Sequence, residues 1–342
     1  MLEEIKIFRR ATLASIITST YPMIVVGCYF GVTPWNMNRL SIDESDLSFA
    51  ILLFGIFFII SNQIAGRILV PKYGTKLIMS LAFPLVTFST LLSIVSPSYF
   101  YFLLTSIPAG IGWGASGPIG GIHTQLIEQH FKKIITPYYA MGFNLGILIG
   151  GGLAGIIMRY NYEPYVFLTI LSFLSIFISF FVFSFGLPRN LDFKGVGEKF
   201  KIPETNVLLF GFLLFFIFGS GGIIMDWSTL WLSKDLNAPL YLASMGIIFF
   251  SIGAIFANLF SNSLINLFSE KVVGCHFVMI GASIMLLSLL TNNFYIILIV
   301  LSFYGFAIAN LVPIVIRQAV KQSNESIPCL LYTSPSPRDA TL

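Results

Sequence analysis

The chain has 342 residues, of which 56% are hydrophobic and only 10% charged, and its formal net charge is +4. A soluble domain carries about 25% charged residues, so this composition, with 35 phenylalanines and a mean hydropathy of +0.88, excludes an ordinary water-soluble globule. The chemistry points to a polytopic chain whose solvent is lipid. Cys28, Cys275 and Cys329 form no CxxC pair, and His123, His130 and His276 lack metal-ligand spacing. No disulfide framework, metal site or cofactor is expected.

A membrane span needs about 20 mostly apolar residues. Lys6, Arg9 and Arg10 precede the first such run, which is too long for the apolar region of a cleaved signal peptide. Ten spans are expected in chain order, at roughly 11–33, 47–66, 77–95, 99–121, 137–158, 164–186, 207–230, 240–261, 272–290 and 294–316. No Asp, Glu, Lys or Arg occurs from Leu77 to Ile127, which accommodates two spans with a turn at Ser96-Pro97-Ser98. Between the sixth and seventh spans, LPRNLDFKGVGEKFKIPETN reads as a polar linker. The chain therefore divides into an N-terminal half at 1–186, a linker at 187–206, a partial second half at 207–328 and a tail at 329–342. The tail resembles a translated sequencing-adapter string and is read as non-native; a Ser/Pro-rich disordered tail is the alternative.

Basic residues settle an expected orientation. With the N-terminus on the cytoplasmic side, Lys6, Arg9, Arg10, Arg67, Lys72, Lys76, Lys132, Lys133, Arg189, Lys194, Lys199, Lys201, Lys271, Arg317 and Lys321 all fall inside. Arg39, Arg159 and Lys234 fall outside. This asymmetry follows the positive-inside rule, so a multi-pass protein of the cytoplasmic (inner) membrane with a cytoplasmic N-terminus is expected.

Six spans, a charged linker and a second set of spans resemble the major facilitator superfamily, whose members have two six-helix halves. The loop GRILVPKYGTK is similar to that family's signature between helices 2 and 3, approximately G-x-x-x-D-R-x-G-R-K. Gly74, Lys72 and Lys76 match; Gly66 sits one residue early, and Pro71 occupies the acidic position. The resemblance implies that Gly66, Lys72, Gly74 and Lys76 form a cytoplasmic gating loop. The equivalent loop NSLINLFSEK is more degenerate, with Asn266 in the acidic place and Ser269 in the glycine place. GILIGGGLAG in the fifth span resembles an antiporter motif with Gly151 in place of its proline. GSGGIIMDWSTLWL resembles a bacterial inner-membrane branch distantly related to sugar–proton symporters. The resemblance implies an all-α major facilitator fold truncated after ten helices. Because helix 11 lines the cavity in that family, the chain as given is expected not to transport.

Gly112, Gly114 and Gly117 spell GxGxxG, the fingerprint of a dinucleotide turn. No strand context and no acid about 20 residues onward support that use, so the glycines are read as helix packing. Gly110 and Gly114 lie on one stripe with Pro118, and Gly117 lies beside it. Gly142, Gly146 and Gly150 repeat at four-residue spacing in the fifth span. Such ridges permit close helix approach.

An acid inside the membrane is costly and functional by default. Asp226 is the candidate, either as a proton or substrate group or as an interfacial acid beside belt tryptophans Trp227 and Trp231. Asn144, Asn258, Asn310, Tyr21 and Trp113 are further candidates for the substrate or proton pathway. His123 and Glu128 have a spacing faintly like that of an acyltransferase, the one enzymatic alternative; a solvated loop is the simpler reading. No catalytic residues are assigned. A non-transporting sensor would need a signalling domain, and none is evident. The expected function is secondary transport of a small organic solute by alternating access, with a proton as coupling ion. An efflux antiporter is the alternative. A monomer in the lipid bilayer with no nucleic-acid partner is expected.

Overall fold

The computed structural model describes residues 2–192 and 205–322. The central linker and the tail 329–342 lie outside the described residues, apart from the linker's two ends. The described residues are helical across most of each expected span, with turns at Ser244, Phe260, Ala309 and Asn310. The first six helices are α1 (Leu2–Leu40), α2 (Glu44–Tyr73), α3 (Thr75–Val95), α4 (Tyr99–Phe131), α5 (Thr136–Arg159) and α6 (Pro164–Phe185). Four more follow the linker: α7 (205–235), α8 (Leu240–Leu259, with a helical continuation to 268), α9 (270–288) and α10 (294–322).

Nine of these helices are long and apolar enough to cross a membrane. The tenth, α4, has 33 residues and is absent from that set because its glycines, serines and prolines dilute its hydropathy. At about 1.5 Å per residue it is still roughly 50 Å long. It packs between α2 and α3.

Local chemistry sets several boundaries. Asp43 caps α2: its carboxylate accepts from Asp46 N at 2.9 Å, and Asp46 Oδ2 accepts from Asp43 N at 3.3 Å. Asn293 caps α10 by accepting from Tyr295 N and Ile296 N. Glu128 Oε1, at the end of α4, accepts from Ile135 N at 2.5 Å and Thr136 N at 2.6 Å, satisfying the first donors of α5. Asn161, at φ 53°, turns the chain from α5 to α6.

The main apolar core gathers Val25 and Val32 of α1, Met79 and Phe83 of α3, Ile119 of α4, Ile157 of α5 and Leu168 of α6. A second core joins Leu232 of α7, Phe250 of α8 and Leu301 of α10. The glycine ridges place the helices. A Cβ on Gly110 or Gly114 would overlap the carbonyl oxygen of Phe54 or Phe58, so α4 lies backbone-to-backbone on α2. A Cβ on Gly142 would sit 2.6 Å from Ser19 Oγ, and Gly146 and Gly150 press on the carbonyls of Thr20 and Ile24. Thus the α5 ridge serves α1, and the two ridges do not pair with each other. Gly117 departs from the expected packing role. It lies off the contact line with α2, and a Cβ there would meet no atom within 4 Å. Its carbonyl instead accepts from Tyr139 Oη at 3.0 Å.

Contacts in α8–α10 repeat those in α2–α4. Gly305 of α10 rests on Phe250 O of α8 as Gly110 of α4 rests on Phe54 O of α2. Gly112 of α4 packs on Val86 of α3; at the matching place Gly281 of α9 packs on Ala307 of α10, with the glycine on the opposite partner.

Candidate functional site

The only acid expected within the spans, Asp226, lies on α7, two turns before Lys234. That interval is about 12 Å along a helix. Lys234 marks the end of the bundle, where its Nζ meets Glu44 Oε1 at 2.5 Å across the α1–α2 turn. Asp226 is therefore inside the bundle and partly accessible. Trp227 packs against a cluster of Met37, Leu47, Phe102 and Leu230, and Trp231 packs against the α7–α8–α10 core. Both tryptophans are partly buried.

The residue before this acid, Met225, belongs to a cluster rich in aromatic side chains. Trp113 of α4 meets Phe54 edge-to-face at 6.1 Å. With Phe30, Phe143 and Met225 it surrounds the buried Met23, Val26, Val86, Ile147 and Ile247. The surrounding glycines differ in use. Gly151 packs on Ile247 and Ile248 of α8, whereas a Cβ on Gly219, Gly221 or Gly222 would meet nothing within 4 Å.

The neutral candidates separate. Asn144 is buried, and its Nδ2 donates to Ala140 O of its own helix at 3.0 Å. Asn310 donates to Ala257 O at 3.1 Å, beside the buried Asn258. Its buried Oδ1 has no partner among the described residues. Tyr21 is turned toward α6, where its hydroxyl donates to Leu171 O at 2.6 Å.

Contacts between the first six helices and α7–α8 concentrate toward the α1–α2 turn. Besides Lys234–Glu44, the Arg159 guanidinium lies 5.9 Å from the Tyr241 ring centroid. Ser244 of α8 fits between Gly31 of α1 and Gly155 of α5.

At the opposite end, the gating loop is tied to the linker. Gly74, at φ 85° and ψ 163°, reverses the chain between α2 and α3. Asp192 Oδ1 accepts from Thr75 N at 3.1 Å and from Thr75 Oγ1 at 2.6 Å, and its Oδ2 accepts from Lys76 N at 3.3 Å. Thr75 Oγ1 also meets His123 Nδ1 at 2.9 Å. Arg189 donates to Lys72 O at 3.0 Å and to Pro71 O at 3.4 Å. The loop lacks an acid at Pro71, and a buried carboxylate from the linker meets the first donors of α3. Sequence reasoning missed Asp192 and Arg189 because they lie far along the chain from the loop. Gly66 is buried in a π-helical turn of α2, while Lys72 and Lys76 lean over Tyr73 and Phe183. His123 and Glu128 serve separate structural contacts and do not converge as an enzyme pair would.

Comparison with known proteins agrees with this architecture. An uncharacterised MFS-type transporter of Yersinia pestis is 20% identical over 302 residues, covering 85% of this chain and 76% of the relative. The proton-coupled antiporter flippase LtaA of Staphylococcus saprophyticus is 26% identical over 263 residues, covering 74% and 64% respectively. Among solved structures, the human organic anion transporter MFSD10 superposes with a TM-score of 0.66 at 14% identity, covering 95% of this chain and 88% of that one. A bacterial homologue of the human lysosomal transporter Spinster, inward-facing and unoccupied, gives 0.64 at 15% identity, covering 95% and 78%. Residues 12–326 match the Major Facilitator Superfamily as a family, and the chain belongs to that superfamily of multi-pass membrane transporters.

Proposed function

We propose that this chain is part of a proton-coupled secondary transporter that moves a small organic solute by alternating access. Asp226 carries the reading: a partly accessible carboxylate inside the bundle, between Met225 and Trp227, which pack against clusters that include Met23 and Met37 of α1. Placing a charge there is costly unless it works. Protonation would change the charge between the two groups of helices, at a place where their relative position sets access. The moving units in this reading are 1–186 and 207–328, joined by the linker 187–206. The linker side is cytoplasmic, as the basic residues there favour. The contacts near the α1–α2 turn then describe an inward-open state, the conformation named for the Spinster homologue. The aromatic wall of Trp113, Phe30 and Phe143 suits an organic solute with apolar surface.

The test is counterflow and pH-gradient-driven transport with a solute panel, in proteoliposomes carrying the complete gene product. Asp226→Asn should abolish gradient-driven accumulation while folding and expression persist. Unchanged accumulation with unchanged pH dependence would overturn the proton role. An efflux antiporter is the second reading, favoured by the likeness to LtaA. Accumulation in inside-out vesicles on acidifying their lumen would select it.

A further inference from the structure

The outer surface between α1 and α6 carries a groove of about 450 Å³, lined by Ile17, Thr20, Tyr21, Ile24, Phe177, Ile178 and Phe181. Its two hydroxyls are turned away from the groove. Thr20 Oγ1 donates to Ile16 O at 2.8 Å, and Tyr21 Oη donates to Leu171 O at 2.6 Å. The remaining surface is hydrocarbon. At the linker end of the groove, Phe181 meets Phe185 at a tilt with ring centroids 3.9 Å apart, and the Arg10 guanidinium lies 5.2 Å from the Phe185 ring centroid. Groove, aromatic pair and cation thus form one continuous surface. The helical register agrees, because Arg10 precedes Ile17 by two turns on the same face of α1. Lys6, one turn earlier still, is exposed on that face, with Glu3 beyond it. No carboxylate among the described residues pairs with Arg10. A guanidinium over an aromatic ring can still donate N–H groups to an anion.

We propose that this surface is a binding site for an anionic phospholipid, with one acyl chain in the α1–α6 groove and the phosphate on Arg10. The charge complementarity selects the occupant. A neutral hydrocarbon could fill the groove, but the exposed guanidinium at its mouth, with Lys6 beyond, favours a net negative headgroup. The site faces lipid, so it is separate from the solute pathway beside Asp226 and holds whether or not the proton-coupled reading does.

The experiment uses a tryptophan reporter, Phe177→Trp, in the full chain reconstituted into bilayers. Quenching by dibrominated phosphatidylglycerol is compared with quenching by dibrominated phosphatidylcholine, with the unsubstituted protein correcting for Trp35, Trp113, Trp227 and Trp231. Phosphatidylglycerol should be preferred by roughly five-fold or more, the effect of one basic residue near a headgroup. Arg10→Gln should bring the preference to near one, and Arg10→Lys should keep most of it. Millimolar inorganic phosphate should leave the quenching unchanged, because the acyl chain anchors the ligand. Equal quenching by the two lipids in the Arg10 protein overturns the proposal even if Arg10→Gln fails to fold. A preference that survives Arg10→Gln, or displacement by inorganic phosphate, overturns it as well.

Discussion

Ser269 repeats the backbone of Gly74. Gly74 turns the chain between α2 and α3 at φ 85° and ψ 163°, and Ser269 does so between α8 and α9 at φ 71° and ψ 157°. The residues that follow match as well. Thr75 meets His123 of α4, and Glu270 meets Gln318 of α10, at the same interval along the chain. The region both occupies is essentially reserved for glycine, and a side chain there costs about 1–3 kcal/mol. Ser269 is exposed, so its side chain has little packing to lose. Ser269→Gly should therefore raise the thermal midpoint in detergent, by an amount matching about 1 kcal/mol or more. Gly74→Ala should lower it, since a Cβ there would also sit 2.5 Å from Asp192 Oδ2. A neutral or destabilising Ser269→Gly would show that the strain is absent.

Asp192 should behave as a helix cap supplied from outside the helix. It is buried and accepts from both backbone donors at the start of α3 and from the Thr75 hydroxyl. Replacing it by Ala removes the cap and leaves buried donors unpaired, a loss of about 1–3 kcal/mol. Asn190→Ala, two residues away and exposed, is the control and should change nothing measurable. Equal midpoints for the two variants would refute the cap.

These two loops show what sequence reading reaches. The apolar runs that make the helices are continuous and local, so the ten runs were legible, although the helices extend past them, by 9 residues at the start of α1 and 10 at the end of α4. Gly74 and Ser269 were legible as counterparts because each sits just before a short basic motif. Asp192 was not, because its partners Thr75 and Lys76 are distant in sequence and nothing in the linker's composition marks one acid among several. The surroundings of Trp227 were open for a related reason. An aromatic near a span end looks the same in sequence whether it faces lipid or packs against Met37 and Phe102, as Trp227 does. Likewise, spacing identified the glycine ridges but not their partners, since a ridge records only that some backbone comes close.

Gly114 and Gly117 make that last distinction measurable. A Cβ on Gly114 would overlap Phe58 O and lie 3.0 Å from Ser61 Cβ, while one on Gly117 would meet nothing. Gly114→Ala should force α2 and α4 apart, costing about 1–3 kcal/mol. Gly117→Ala should be neutral or stabilise by up to about 1 kcal/mol through helix propensity. Opposite signs in a thermal or denaturant series are the expected result. Matching losses at both positions would return Gly117 to the packing ridge.

The seal near the α1–α2 turn should be a moving part, and its chemistry suits one. The Lys234–Glu44 pair is 39% and 51% exposed on its two sides, so it contributes at most about 1 kcal/mol. Its charges can separate without a large penalty. The contact between α5 and α8 is tighter: a Cβ on Gly155 would lie 3.2 Å from Ser244 Oγ, within reach of a disulfide between cysteines at these positions. In the complete gene product, with Cys28, Cys275 and every other native cysteine replaced by Ser, oxidation of the Gly155→Cys, Ser244→Cys pair should hold this end shut. Counterflow of whichever solute the panel identifies should then stop and return on reduction. Each single cysteine should transport throughout. Glu44→Gln with Lys234→Gln should leave folding intact and shift the protein toward the state open at this end, read as faster thiol labelling of the single cysteine at 155. Full transport by a completely cross-linked pair would mean that the α5–α8 contact does not open, and that access to Asp226 is controlled elsewhere.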